Sequence, residues 1–216
     1  MVGVTAELTL HCNSTLTNGQ GFCFTANPPL PFRVQRGMAI SIRPYALTDV
    51  PAFFEAACES VADVYPWLAW CHADYKIEDA QTWIASQVEA FEKRTEFQFV
   101  ITDENGRLLG CCGLNHLSEV HRLANLGYWL RTSAAGQGVM PEAVRLVARW
   151  GFANTSLERL EIVVAVGNVR SQRVAEKAGA TREGILRSRL FFHDRPHDAV
   201  MYSLVRPAIG ATDHGF

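Results

Sequence analysis

The chain has 216 residues, which is long enough for one well-buried α/β domain. Its composition is ordinary for a globular protein, with 48% hydrophobic and 19% charged residues and a formal net charge of −2. Because there is no Lys/Arg cluster or basic stripe, nucleic acid is not expected as the main partner. No apolar run reaches the length of a bilayer span, so no membrane partner is expected.

The six cysteines give no support for a metal site, because none forms a C-x-x-C pair and no histidine follows at zinc spacing. Cys111 and Cys112 are predicted to be small core residues on opposite faces of a strand. The first residues lack the basic start and apolar core of a signal peptide. We therefore expect a cytoplasmic protein with free thiols.

Residues 1–37 differ in composition from the rest and are rich in Asn, Thr, Gly and Pro. They are interpreted as an N-terminal arm of unclear role, with a turn signal for a small hairpin at Asn18-Gly19. The folded domain is predicted over 38–207, because Met38 directly precedes the first strand pattern. Residues 208–216 are left as a C-terminal tail.

Apolar periodicity predicts strands and helices in alternation after the arm. In chain order these are a strand over 39–44, a helix capped by Thr48-Asp49 and ending near Ala62, a helix over 78–93, strands over 96–102 and 107–114 that turn at Asn105-Gly106, and a strand over 123–131. A second group follows: a helix over 138–152, a strand over 158–167, a helix over 169–178, and a terminal hairpin of 187–192 and 199–205. Antiparallel hairpins combined with one helical crossover predict a mixed sheet with helices on both faces.

The loop Ser-Ala-Ala-Gly-Gln-Gly-Val-Met-Pro-Glu-Ala, residues 133–143, joins a strand to a helix. Gly136 and Gly138 let a ligand approach the backbone, and the N–H groups from Ala135 to Met140 lie at the positive end of the helix dipole. Such a loop either binds pyrophosphate or is only a tight turn. It is not a Walker loop, since no Lys-Ser/Thr follows, and it lacks the third glycine of a dinucleotide fingerprint.

A second motif lies further along, where Asn168-Val-Arg-Ser171 follows a strand and Glu183-Gly-Ile-Leu-Arg187 follows a short helix. With the glycine loop and Leu126-Gly-Tyr-Trp-Leu130 before it, this order resembles the GCN5-related N-acetyltransferase (GNAT) superfamily, and within it the Rim-type (RimJ/RimL-like) ribosomal-protein N-terminal acetyltransferases. The resemblance covers about 38–206. It implies an α/β fold with a mixed, mostly antiparallel sheet of six or seven strands, a splayed central parallel pair, and helices on both faces.

The resemblance also implies a reaction, the transfer of an acetyl group from acetyl-CoA to a primary amine by direct attack in a ternary complex. The acceptor would be a protein N-terminus or a small-molecule amine, no metal is expected, and a homodimer is left open. A non-catalytic acyl-CoA-binding module is the alternative. It is favoured by the absence of an evident general base and by Ser133, which stands where the family commonly has Gln or Arg.

The implied coenzyme site combines the loop with the two parted strands. Loop amides would hold the diphosphate, helped by Arg131 or Arg173, while the pantetheine arm would pair with the backbone of 128–130 and 164–166. The expected contact residues are Tyr128, Trp129, Leu130, Ala135, Gly136, Gln137, Gly138, Val139, Met140, Asn168, Ser171 and Arg173. Asn168 is equally well placed as a helix N-cap.

In the Rim-type enzymes the residue matching Ser171 is proposed to reprotonate the leaving thiolate, so Ser171 is the candidate general acid, with a binding-only role as the alternative. His116 and Glu119 are candidate general bases. Water is the alternative, because an α-amino group has a pKa of about 7.7–8.0. Family position assigns Trp67, Trp70, His72 and Tyr202 to the acceptor cleft, with core packing as the alternative for the tryptophans and Tyr202.

Overall fold

A computed structural model describes residues 39–207. Within this range seven strands form one sheet: β1 (Ile40–Pro44), β2 (Phe97–Asp103), β3 (Leu108–Ser118), β4 (Leu123–Leu130), β5 (Arg159–Ala165), β6 (Thr181–Phe192) and β7 (Arg195–Val205). Its helices are α1 (Val50–Val64), α2 (Ile77–Glu92), α3 (Val139–Asn154) and α4 (Val169–Lys177). The predicted arm over 1–37, its hairpin at Asn18-Gly19 and the tail over 208–216 lie outside the described residues.

The strands follow the order β1-β2-β3-β4-β5-β7-β6. Every neighbouring pair is antiparallel except β4 and β5, which are parallel and are joined by α3 as a crossover. The prediction of a mixed, mostly antiparallel sheet with one central parallel pair is confirmed.

The sheet separates two apolar cores. On one face α1 and α2 pack Phe53 and Ile84 over Cys111. On the other face α3 and α4 cover a larger cluster that includes Val147 and Cys112. Because successive side chains of a strand point to opposite faces, the two adjacent cysteines lie in different cores, as the sequence predicts.

The parallel pair is joined at one end only. β4 and β5 are in register at Leu123–Arg159, Ala124–Leu160 and Asn125–Glu161, and the pairing stops there. From Leu126 to Leu130, β4 has no strand on its β5 side. The two strands therefore part, and the gap between them widens toward the ends that lead into α3 and α4.

Two local predictions need correction. Asp49 does not cap α1 through its side chain; its carboxylate instead accepts hydrogen bonds from Arg43, at 2.6 and 2.7 Å, and from the N–H of Ala46. The terminal hairpin is also longer than predicted, because His193 and Asp194 alone form its turn, both with positive φ. A polar run at 193–198 therefore belongs mostly to β7 rather than to a loop.

Candidate active site

The edge of β4 that faces the gap carries unpaired backbone amides. The N–H of Arg131 donates to the carbonyl of Leu109 on β3, at 2.8 Å. Backbone amides alternate between the two edges of a strand, so those of Tyr128 and Leu130 point the opposite way, into the gap. The prediction that Trp129 contributes to this edge is wrong, because its backbone amide faces β3. Its indole lies in the α1/α2 core and is only 9% exposed.

The same alternation applies to β5. The N–H of Val166 donates to the carbonyl of Asp198 at 3.0 Å, on the side of β7. The amides of Val164 therefore face β7 as well, and those of Val163 and Ala165 face the gap. Of the predicted stretch 164–166, only Ala165 lies on the correct edge.

The glycine loop between β4 and α3 has the geometry of an anion site. Gly136 and Gly138 have φ of 80° and 78°, in the left-handed region that favours glycine. No protein group within residues 39–207 accepts from the N–H groups of 136–140. These donors stand at the positive end of a 16-residue helix. Ala135 is the exception among the predicted donors, because its N–H already bonds to the carbonyl of Thr132.

Arg131 anchors this loop and does not bind phosphate, so its predicted role is wrong. Its guanidinium is 2% exposed and donates to Glu59, to Glu55 at 2.7 Å and to the carbonyl of Leu108 at 3.0 Å. Glu59 in turn accepts from the N–H of Ser133 at 2.8 Å. The hydrogen bond from Arg131 lowers the pKa of Glu59 to about 2, which keeps this carboxylate charged and the loop fixed to α1.

Another cation stands beside the loop. Arg107, which follows the turn between β2 and β3, donates from Nη2 to Ser133 Oγ at 3.2 Å and is half-exposed. Sequence reasoning missed it, because it lies far from the loop along the chain. Arg173 is exposed on α4, and its contact with coenzyme stays a prediction.

A hydroxyl pair bridges the two sides of the gap. Asn168 caps α4, its Oδ1 accepting from the N–H of Ser171 at 3.1 Å. The hydroxyl of Tyr128 lies 3.0 Å from both the carbonyl oxygen and the Oγ of Ser171. Burial raises the pKa of Tyr128, so its phenol keeps its proton at neutral pH and can donate it to the serine.

The segment between α1 and α2 contributes to two clefts. Trp67 borders one of about 410 Å³ beyond the end of β5, opposite His197 of β7. Trp70 borders the other, about 310 Å³, between the α1/α2 layer and the sheet, and also packs against Trp129 with ring centres 5.4 Å apart. His72 lies edge-on to a neighbouring tyrosine and lines neither cleft, so its predicted acceptor contact has no support.

Tyr202 is a further correction. It is fully buried, and its hydroxyl donates to Glu176 of α4 at 3.0 Å, so it packs beneath α4 and does not border the acceptor cleft. His116 and Glu119 lie exposed around the turn between β3 and β4. Neither has a hydrogen bond to Ser171 among the described contacts, and their role as bases stays a prediction.

Residues 39–207 contain no group of three or more His, Cys, Asp or Glu side chains placed to hold a metal ion. None of the helices in that range is both long and apolar enough for a membrane crossing.

An α/β domain with a parted parallel pair, a glycine loop with free amides at a helix N-terminus and a serine at the gap is the arrangement expected of a coenzyme-dependent acyltransferase. Residues 40–181 match the family described as acetyltransferase (GNAT) domain. The chain therefore belongs to the GNAT acetyltransferases, which confirms the predicted family, fold and enzyme class.

Three comparisons illustrate this membership. The probable N-acetyltransferase YjcK of Bacillus subtilis (strain 168) is 31% identical over 176 residues, covering 80% of this chain and 97% of that protein. The ribosomal-protein-serine acetyltransferase of Escherichia coli (strain K12) is 24% identical over 167 residues, covering 77% and 93%. The structure of RimL, a ribosomal L7/L12 alpha-N-protein acetyltransferase in complex with coenzyme A, aligns with a TM-score of 0.71 at 22% identity, covering 77% and 93%.

Proposed function

We propose that this protein transfers the acetyl group of acetyl-CoA to a primary amine, by direct attack while both substrates are bound. The observation that carries the proposal is the gap between β4 and β5, which places free backbone amides, the glycine loop and Ser171 along one path. The described cysteines 58, 71, 111 and 112 are unpaired thiols, which fits a cytoplasmic site of action.

The donor would lie with its diphosphate on the N–H groups of 136–140 and its pantetheine amides along Tyr128 and Leu130. Arg107 adds a half-exposed positive charge at the diphosphate end. Asn168 uses its Oδ1 as the cap of α4, which leaves its NH₂ group for a pantetheine carbonyl. These groups form a continuous set of donors and acceptors that matches a long, polar, phosphate-bearing thioester.

The chemistry needs three groups. The amine nitrogen forms a bond to the thioester carbon, and the carbonyl oxygen becomes an oxyanion that a backbone N–H of β4 can stabilise. When the C–S bond breaks, Ser171 donates its hydroxyl proton to the thiolate and is reprotonated by Tyr128, 3.0 Å away. The ammonium proton passes to water or to His116 or Glu119, and solvent restores the tyrosine.

The acceptor is a primary amine on a protein N-terminus or a small molecule. Relatives support the first source, because the names of the Escherichia coli enzyme and of RimL both describe acetyltransferases of ribosomal proteins, and that of RimL an alpha-N-protein acetyltransferase.

Substitution of the proposed acid tests the mechanism. Ser171→Ala should lower kcat by at least about a hundredfold, while the Kd for coenzyme A by calorimetry stays within a factor of about three, because the loop amides are untouched. Ser156→Ala, at an exposed serine before β5, is the matched control and should leave both values unchanged. Thiol release with a panel of amines and peptides measures turnover. If the wild type binds coenzyme A but acetylates no amine, the protein is a non-catalytic coenzyme-binding module.

A further inference from the structure

The proposed binding of the acetyl donor leaves a second feature unexplained, the cleft between the α1/α2 layer and the sheet. Its volume, about 310 Å³, falls at the lower end of the range for small-ligand sites. Aromatic side chains form its walls: Tyr45, Phe53, Trp70, Tyr75, Trp83 and Trp129. Such walls suit a flat ring, because aromatic pairs gain from stacked and edge-on contacts beyond their buried area.

The floor of this cleft exists because two glycines lie side by side in the sheet. Gln98 of β2 is in register with Gly113 of β3, which is in register with Gly127 of β4. A Cβ atom on Gly113 would lie 2.2 Å from Gln98 Oε1, so the glutamine amide lies over β3 where a side chain would otherwise stand. A Cβ on Gly127 would meet only Asn125, at 3.7 Å, so the floor beside β4 is bare backbone.

Gln98 has no hydrogen-bond partner for its side chain among the described residues, although it is only 8% exposed and lines the cleft. Among residues 39–207 the one fully buried polar side-chain atom without a partner is Gln87 Oε1, so the Gln98 amide reaches the open space of the cleft, where it can pair with a ligand. A group that both donates and accepts hydrogen bonds would satisfy it. Gln98 therefore offers both a donor and an acceptor to whatever occupies the cleft.

The cleft also opens onto the reacting edge. Gly127 and Tyr128 line it, and they belong to the part of β4 that leaves β5. The exposed carboxylate of Asp79, held by the N–H of Lys76 at 2.9 Å, lies on the lining and attracts an ammonium ion. An amine attached to a ring in the cleft would therefore meet a lining that includes both Asp79 and this part of β4.

Resting on the proposed function, we propose that the acceptor is a primary amine that carries a flat aromatic ring with a polar substituent, the ring lying in this cleft and the substituent hydrogen-bonded to Gln98. This chemistry has two sources: a free arylalkylamine, or a peptide whose first residue is aromatic. Both present the ring a few bonds away from the nitrogen that attacks.

An acceptor series tests this directly. Tyramine should exceed hexylamine, which has no ring, by at least tenfold in kcat/KM, with 2-phenylethylamine between them. Gln98→Leu should lower kcat/KM for tyramine by about tenfold, the value of one hydrogen bond, and leave 2-phenylethylamine unchanged. Gln81→Leu, at an exposed glutamine of α2, is the control and should alter neither. Trp83, which is 39% exposed, allows a second variant without opening the core: Trp83→Ala should weaken both ring-bearing amines.

Peptides beginning with Tyr or Ser separate the two sources. A preference for the Tyr peptide, with free amines inert, supports the ring chemistry and assigns it to a protein N-terminus. Equal turnover of hexylamine and tyramine, unaffected by Gln98→Leu, overturns this inference and leaves acetyl transfer standing. If no amine reacts, both the proposed acetyl transfer and the inference about its acceptor are refuted.

Discussion

The diphosphate site can be tested at Gly138, the N-cap of α3. Its φ is 78°, and a Cβ built there meets no atom within 4 Å. The cost of Gly138→Ala is therefore conformational and not steric, about 1–2 kcal/mol for an L-residue in the left-handed region. At about 2–4 °C per kcal/mol for a chain of this size, Tm should fall by about 2–8 °C.

The coenzyme affinity should fall by more than this cost alone. If the backbone relaxes out of the left-handed region, the N–H groups of 138–140 no longer converge on one point. Loss of one hydrogen bond to a charged phosphate, about 1.5–3 kcal/mol, would raise the Kd for coenzyme A by roughly tenfold to a hundredfold, and loss of a second would multiply this effect again. Isothermal titration calorimetry measures the Kd and differential scanning fluorimetry the Tm.

Gly106→Ala is the matched control, because Gly106 has φ of 79° and equally open surroundings in the turn between β2 and β3. It should lower Tm to a similar extent and leave the Kd unchanged. Gly138→Asn should recover much of the stability, since Asn tolerates the left-handed region. If Gly138→Ala lowers Tm but binds coenzyme A as tightly as Gly106→Ala does, the loop amides do not hold the diphosphate.

Three further outcomes follow from the contacts. Arg131→Leu should cost about 3 kcal/mol in urea denaturation, because it removes the main cation from Glu59 and leaves the buried carbonyl of Leu108 without this donor; a change below about 0.5 kcal/mol would contradict the anchoring role. Arg159 and Arg131 hold the pKa values of Glu183 and Glu59 at about 2, below their ordinary value of 4.5. The free energy of unfolding should therefore be flat above about pH 5 and decline as the pH falls from 4.5 toward 2, and a gain in stability on acidification would be inconsistent with these pairs. Tyr202→Phe should leave kcat/KM for every acceptor within about twofold, since the tyrosine hydroxyl donates to Glu176 beneath α4. Loss of this hydrogen bond should lower the free energy of unfolding by only about 1 kcal/mol. A selective loss of acceptor turnover would show instead that Tyr202 borders the acceptor cleft.

Most of the fold was predictable because local patterns and tertiary packing agree. The strand and helix periods place every helix within two residues of its predicted ends, and the alternation of Cys111 and Cys112 between two cores follows from strand geometry alone. The hairpin after Phe192 was predicted too short, because the exposed residues Arg195 and Pro196 resemble a loop in sequence although they pair with the edge strand β6. The polarity of a residue predicts whether its side chain is exposed to solvent, but it does not predict whether its backbone pairs with a neighbouring strand.

The parts of the site that local backbone conformation forms could be predicted from the sequence. The glycine loop and the N-cap at Asn168 follow from local sequence and hold in the structure. Arg131 was misassigned because a cation beside a phosphate loop and a cation that anchors the loop look alike in sequence. Gln98 and Arg107 could not be found, since both act through register between strands that are distant along the chain. Two glycines at matching positions, Gly113 and Gly127, were the available signal for the cleft between the α1/α2 layer and the sheet.

The parted strands also bear on how long the protein survives. A sheet with an unfilled position inside it has exposed edges, which elsewhere invite pairing with other chains. If acetyl-CoA binds as proposed, its pantetheine arm would take the place of the missing strand between β4 and β5. A ligand that binds only the folded state adds stability by mass action, about 2.7 kcal/mol at a hundred times its Kd. The free energy of unfolding of this enzyme would then rise and fall with the concentration of the acyl donor that it consumes.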